Sequence, residues 1–198
     1  LSDKVAFAAA CAAQGLRTPR QVVVDCSALA DGDPDIPIPF PLVGKAAVGS
    51  DWDATEFPGK RKIYFLDTPA DLASLWSDLR GAGYASTFLI QERIPGEDEA
   101  MRSVTAYMAS NGEMTMIGSA RVLLEDHAPT LIGNPVAMIT EPFPELWDGA
   151  ERLLKAAGYR GFANFDVKVD PRTGESVFFE LNQLNRSEER RVGKECRS

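Results

Sequence analysis

Hydrophobic residues recur along the chain at two spacings, and each spacing marks a different kind of element. Leu72, Leu75, Trp76 and Leu79 fall at helical intervals behind Thr68-Pro69-Ala70-Asp71. A Thr cap, Pro in the first turn and an acid at the third position make a strong helix start, so a helix is predicted here, stopped by Gly81 or Gly83. Leu146, Ala150, Leu153 and Leu154 share one face of a second predicted helix over 144–157, stopped by Gly158. A third, over 3–14, is filled with Ala, with Ser2 as cap and Gly15 at the left-handed stop.

Between these helices the chain turns β-branched or alternating. Strands are predicted over 21–26, 38–47, 60–66 and 87–92, with Asp/Gly/Pro-rich loops over 27–37 and 48–59. Ser110-Asn111-Gly112 reads as a hairpin turn between strands 102–109 and 113–124, and 125–142 reads as an irregular loop. Two further strands, 161–170 and 175–182, surround Pro171-Arg172-Thr173-Gly174. There is no internal repeat. The pattern is α+β with mostly antiparallel sheets.

The last two strands carry candidate chemistry. Phe165, Val167 and Val169 alternate with Asn164, Asp166 and Lys168; Val177, Phe179 and Leu181 alternate with Phe178, Glu180 and Asn182. Period-two alternation sends each set to one face. A five-residue turn would put Asp166 opposite Glu180, with Asn182 on the same side; a four-residue turn would put Asp166 opposite Phe179 and mix the faces. Facing carboxylates repel, and a hard divalent cation resolves the repulsion. The alternative is a solvated face on which Lys168 neutralises the acids.

Composition narrows the field. The 198 residues carry 21 Lys+Arg against 29 Asp+Glu, a net −8, which argues against a protein that coats nucleic acid. The longest wholly apolar run, residues 5–13, is far short of the about 20 a membrane helix needs. Ser2 and Asp3 open a helix better than the basic start of an export signal. Three Cys without metal-ligand spacing fit a reducing compartment, and one His leaves little for His-relay chemistry. The segment 186–198, RSEERRVGKECRS, resembles the in-frame translation of a sequencing adapter, the alternative being a genuine basic tail. Setting it aside leaves 16 basic against 26 acidic residues, or −10. The expectation is a polypeptide incomplete at both ends, starting at Leu1 and continuing in its parent past Asn185.

Lys45 ends an apolar strand as a surface anchor or as a point charge for phosphate, and Lys4 opposes the dipole of its helix. Glu92 and Arg93 end a strand just before the Pro95-Gly96 break, where backbone groups can be presented to a base.

Together, Ser2-Asp3-Lys4, Phe40-Pro41-Leu42-Val43-Gly44-Lys45, Gln91-Glu92-Arg93-Ile94-Pro95-Gly96 and Phe162-Ala163-Asn164-Phe165-Asp166 with Phe179-Glu180-Leu181-Asn182 resemble the ATP-grasp superfamily. Residues 122–134 and 158–170 look more narrowly like its carboxylate–amine ligases, the group that includes D-aspartate ligase. The resemblance implies an ATP-grasp fold, with a leading helix over 1–19, a small lid over 20–92 and a larger antiparallel core over 93–185. It implies ATP between lid and core, with Mg²⁺ (or Mn²⁺ in its place) held by Asp166, Glu180 and Asn182. Lys4 and Lys45 would touch phosphates, Gln91, Glu92, Arg93 and Ile94 would receive adenine, and Glu97 or Asp98 the ribose. Arg121 matches a cation near the transferred phosphate, or is a surface strand arginine. The 48–59 loop is the expected closing element.

The implied reaction activates a small-molecule carboxylate as an acyl phosphate and joins it to an amine, in the cytoplasm, with neither nucleic acid nor membrane as partner. The oligomeric state is left open. Gln183 and Leu184 depart from the Pro and Arg that usually follow in the family. That departure, together with the absence here of the family's usual preceding domain and of everything after Asn185, leads us to expect an inactive polypeptide even if its parent is a ligase. A bicarbonate-phosphorylating enzyme and a nucleotide-binding module without catalysis are the alternatives.

Overall fold

A computed structural model describes residues 4–128 and 132–183. Ser2, Asp3, Leu184 and the adapter-like tail lie outside the described residues. The chain divides into two units. Unit 1 combines 4–18, 95–125 and 135–183; unit 2 combines 19–94 with 126–128 and 132–134.

Unit 2 is built on β1 (Gln21–Asp25), β2 (Leu42–Ala46), β3 (Tyr64–Leu66) and β4 (Thr87–Glu92), antiparallel in the order β1-β4-β2-β3. Helix α3 (Pro69–Gly81) starts as the sequence predicts. Asp71 N–H donates to the Thr68 hydroxyl and Thr68 N–H to the Asp71 carboxylate, closing a capping box. Its Leu75, Trp76 and Leu79 bury against Leu42, Phe88 and Ile90 of the sheet. Gly44 permits that close packing, since a Cβ there would lie 3.0 Å from Phe88 and 3.1 Å from Leu75.

Two strands are shorter than predicted. Residues 38–41 and 60–63 find no ladder partners, so only the paired part of each apolar run is strand. The predicted loop 48–59 contains helix α2 (Gly49–Asp53). Its Trp52 is buried and meets Phe57, Tyr64 and Tyr84 edge to face. An aromatic anchor of this kind ties the segment to the core of unit 2.

Unit 1 starts with α1 (Lys4–Ala13). It continues with β5 (Met101–Met108), β6 (Met114–Glu125), β7 (Pro135–Thr140), α4 (Pro144–Ala156), β8 (Gly161–Val169) and β9 (Ser176–Gln183). The strands form an antiparallel sheet in the order β7-β6-β5-β8-β9. Strand β7 falls inside the predicted loop 125–142. Its pairing with β6 makes it a strand, which the Pro-led, non-alternating PVAMIT does not signal locally. One face of the sheet packs on α1 and α4: Phe7 and Cys11 meet Val104, Ala106, Phe165, Val167, Phe178 and Leu181 over Leu146, Ala150, Leu153 and Leu154.

The β8–β9 turn differs from the five-residue expectation. Asp170 N–H donates to the Glu175 carbonyl at 2.9 Å, so four residues, 171–174, make the turn. Register then runs Val169 to Ser176, Lys168 to Val177 and Val167 to Phe178, until a bulge places Asp166 across from Glu180 and Phe165 across from Leu181. Phe178, not Phe179, therefore joins Leu181 in the core, because the bulge inserts one residue between them.

Among the described residues no helix is long and apolar enough to cross a membrane.

Candidate functional site

In unit 1 the face of the sheet away from α4 gathers the polar side chains. Val104 and Phe165 are core residues, so their neighbours Ser103 and Asp166, themselves paired, turn the other way. Asp166 faces Glu180, and Asn182 lies one step further along the same face, its NH₂ donating to Asp166 Oδ2 at 2.9 Å. Lys4, at the start of α1, brings its Nζ to 3.7 Å from Glu180 Oε2. Asn164 extends the row by donating to the hydroxyls of Ser103 at 2.8 Å and Thr105 at 2.9 Å. Four predicted residues, Lys4, Asp166, Glu180 and Asn182, thus share one surface.

This donor set fits a hard divalent cation. It offers two carboxylates and an amide oxygen, the donors Mg²⁺ takes when phosphate or water completes its shell. Among the described residues no three of His, Cys, Asp and Glu converge, so softer sites have no ligands here. The Asn182 bond uses its NH₂ end, so the oxygen end is the one a cation would take. Ser103 and Thr105 were missed by sequence reasoning. Alternation from Val104 and Ala106 would have placed them on this face.

Arg121 does not belong to this group. It pairs across β5–β6 with Arg102, two positions along from the buried Val104–Ser119 pair, and so it sits on the α4 side of the sheet. Its Nε donates to Glu141 Oε2 at 2.8 Å. Arg102 beside it stacks 4.7 Å from the Phe143 ring centroid, and burial holds its guanidinium below the usual arginine value. Strand alternation thus sets Arg121 on the sheet face away from Asp166 and Glu180, as the alternative of a surface strand arginine has it. The same side carries a polar knot at Ser119, whose hydroxyl accepts from Trp147 Nε1 and Phe143 N–H while donating to the Glu141 carbonyl.

In unit 2, Lys45 and Gln91 share the face opposite the hydrophobic core, Lys45 across from Leu89 and Gln91 across from Val43. Gln91 is buried and donates to the Gln21 side chain at 2.8 Å. Glu92 is held by Arg20, Nε to Oε2 at 2.6 Å, and its own N–H bonds the Arg20 carbonyl. Arg93 donates to Asp67 at 2.8 Å and its N–H to the Pro41 carbonyl. Ile94 is buried. Side chains of this segment are therefore engaged in holding the strand end, and backbone is what it has to offer a base. Of the two ribose candidates in unit 1, Asp98 accepts the Glu125 N–H at 2.9 Å, while Glu97 is exposed.

One buried ionic group had no sequence prediction. Asp170, fully enclosed at the β8–β9 turn, accepts from Arg172 through both carboxylate oxygens and from Arg17 at 3.3 Å. The Arg172 hydrogen bonds, ahead of the opposing effect of burial, hold its carboxyl well below the ordinary range. An Asp-x-Arg spacing across a turn is the only local signal.

No protein-family model matches the chain. A curated relative does: the chain is 33% identical over 184 residues to a D-aspartate ligase of Enterococcus faecium (strain Aus0004), covering 92% of this chain and 44% of that protein. The chain thus spans less than half of that relative's length. Among solved structures, a biotin carboxylase–β,γ-ATP complex from Campylobacter jejuni superposes with TM-score 0.66 at 18% identity, over 96% of this chain and 42% of that one. The VanG D-Ala:D-Ser ligase of Enterococcus faecalis superposes with TM-score 0.63 at 16% identity, over 92% and 52%.

Proposed function

We propose, on the premise that this chain has the ATP-grasp fold and resembles D-aspartate ligase, that it is the nucleotide-handling part of an ATP-dependent carboxylate–amine ligase. The observation that carries the reading is the pairing of Asp166 with Glu180 on a face that also holds Asn182 and Lys4.

Asp166, Glu180 and Asn182 would hold Mg²⁺, which when bound neutralises phosphate charge and fixes its oxygens. Lys4 and Lys45 add point charges for phosphate oxygens, cationic donors that need no reorganisation as negative charge shifts. Residues 91–94 would present backbone to adenine, and Glu97 or Asp98 would serve the ribose hydroxyls, Glu97 being the exposed one of the two. In the whole enzyme a carboxylate oxygen attacks the γ-phosphorus and ADP leaves. The amine nitrogen then attacks the acyl carbon, phosphate leaves, and the amine gives up a proton. An amino acid is the carboxylate class that the D-aspartate ligase likeness favours. Two cysteines buried as free thiols support a reducing, cytoplasmic setting.

The test is Mg²⁺-dependent stabilisation of this chain by ATP. At 100 times Kd it should amount to about 2.7 kcal/mol. It should vanish in Asp166→Ala/Glu180→Ala; persistence there would remove the reading. Phosphate release by the longer parent, with amino acids compared against bicarbonate, then separates amide formation from bicarbonate activation.

A further inference from the structure

Strand β9 is braced by the first segment of the chain, and one residue of that segment touches both the β8–β9 turn and the strand just before the bulge that brings Glu180 to the polar face. We propose that Arg17 is a positioning residue: by clamping the β8–β9 turn and the strand just before the bulge, it sets the register that places Glu180 across from Asp166. The proposal rests on the metal-binding reading for its purpose, but its geometric content can be read without metal.

The four-residue turn alone would set Glu180 across from Phe165, on the core side. The extra residue at the bulge reverses this. Something must favour the bulged ladder, because a regular one would lose no cross-strand bonds. Arg17 meets the turn at both rims: NH1 reaches Glu175 Oε2 at 2.8 Å and NH2 reaches Asp170 Oδ2 at 3.3 Å. Its carbonyl accepts the Phe178 N–H at 2.8 Å, and it bridges Val177 in parallel, adding a short third rail beside β9. Phe178 is the last residue before the slip, so this bond pins its N–H outward and its ring into the core.

The brace is itself held. Leu16 packs on the core, and a Cβ on Gly149 would come within 3.0 Å of it. Leu16 N–H returns to the Cys11 carbonyl at 2.9 Å, which fixes the exit from α1. The stretch that begins with Lys4 beside Glu180 thus ends with Arg17 beside the turn. An Arg fork suits the task, since two donors in one plane span two separate acids where an ammonium would reach one.

The direct test is the cross-strand NOE between the Hα protons of Phe165 and Leu181, the non-hydrogen-bonded pair that the bulged register sets beside Asp166 and Glu180, in the metal-free chain. Arg17→Ala should abolish it while the α3 and α4 resonances stay in place; an undiminished NOE overturns the proposal. Should Arg17→Ala fail to fold, Arg17→Lys is read the same way: at least half the intensity should be lost, and an unchanged intensity overturns it. Mn²⁺ added with ATP supplies the functional arm. Apparent Mn²⁺ affinity should fall by about tenfold in the folded variant, the usual cost of removing a residue that orients metal ligands, with the metal-free Tm lowered by a few degrees. Affinity lost only in proportion to stability would mark Arg17 as merely structural and overturn the proposal. The metal reading fails separately, if Mn²⁺ leaves Asp166, Glu180 and Asn182 unbroadened in the unmodified chain.

Discussion

Asp166 stands directly across from Glu180 although the turn joining their strands is one residue too short for an unbroken ladder to bring them together. The bulge before Glu180 makes up the difference. The polar face of unit 1 is therefore a product of two irregularities that cancel, and side chains placed this way respond to changes at the turn.

Asn182 holds Asp166 through a single hydrogen bond from its side-chain NH₂ at an exposed position. Asn182→Ala should leave metal-free stability within about 0.5 kcal/mol, as exposed substitutions do. Mg²⁺-dependent ATP binding should weaken by about tenfold. Titration calorimetry with and without Mg²⁺ checks both; equal losses in the two conditions would detach Asn182 from the cation.

Arg121 is paired with Glu141 on the α4 side, and both side chains are about a third or more exposed. Arg121→Ala should cost less than about 1 kcal/mol and leave Mg²⁺-dependent ATP binding unchanged. A loss of that binding beyond threefold would show that the sheet face does not decide its role.

Asp170 has its folded-state carboxyl value lowered by Arg172. A lowered value stabilises the fold above the unfolded-state value of about 3.9, and that contribution is lost as pH falls through the folded-state value. Asp170→Asn should therefore destabilise by roughly 2 kcal/mol at neutral pH, the worth of charge-assisted bonds. The gap to the unmodified chain should close as pH drops below about 4. Urea melts between pH 3 and 7 would show it; a gap independent of pH would assign the loss to packing alone.

Burial pushes the Cys11 thiol up to about 12 and the Cys26 thiol up to about 11. Neither thiolate should form at pH 8, so in a Cys196→Ser background a disulfide reagent should modify the native chain over hours and the urea-unfolded chain within minutes. Rapid native labelling at two sites would contradict the burial.

The helices were legible because their signals are local. The Thr68–Asp71 capping box and the stripe of Leu146, Ala150, Leu153 and Leu154 need no partner to be recognised. The facing of Asp166 and Glu180 is legible too, but for an incomplete reason: simple alternation needs a five-residue turn and puts Phe179 beside Leu181, whereas the shorter turn and the bulge put Phe178 there. Strand β7 and helix α2 owe their form to a neighbouring strand and to the pocket that receives Trp52, neither of which is written in their own residues. Arg121 was placed by resemblance where alternation from Val104 and Ala106 would have turned it to the other side.

The docking of Phe7 and Cys11 against Phe178 and Leu181 has a consequence for synthesis. Helix α1 cannot complete the packing of its apolar side until β9, made last among these elements, has left the ribosome. Until then it is an exposed apolar segment in search of shelter, and closing so long a loop is slow. A ribosome stalled before Ser176 would hold a chain whose larger core is still open on one side.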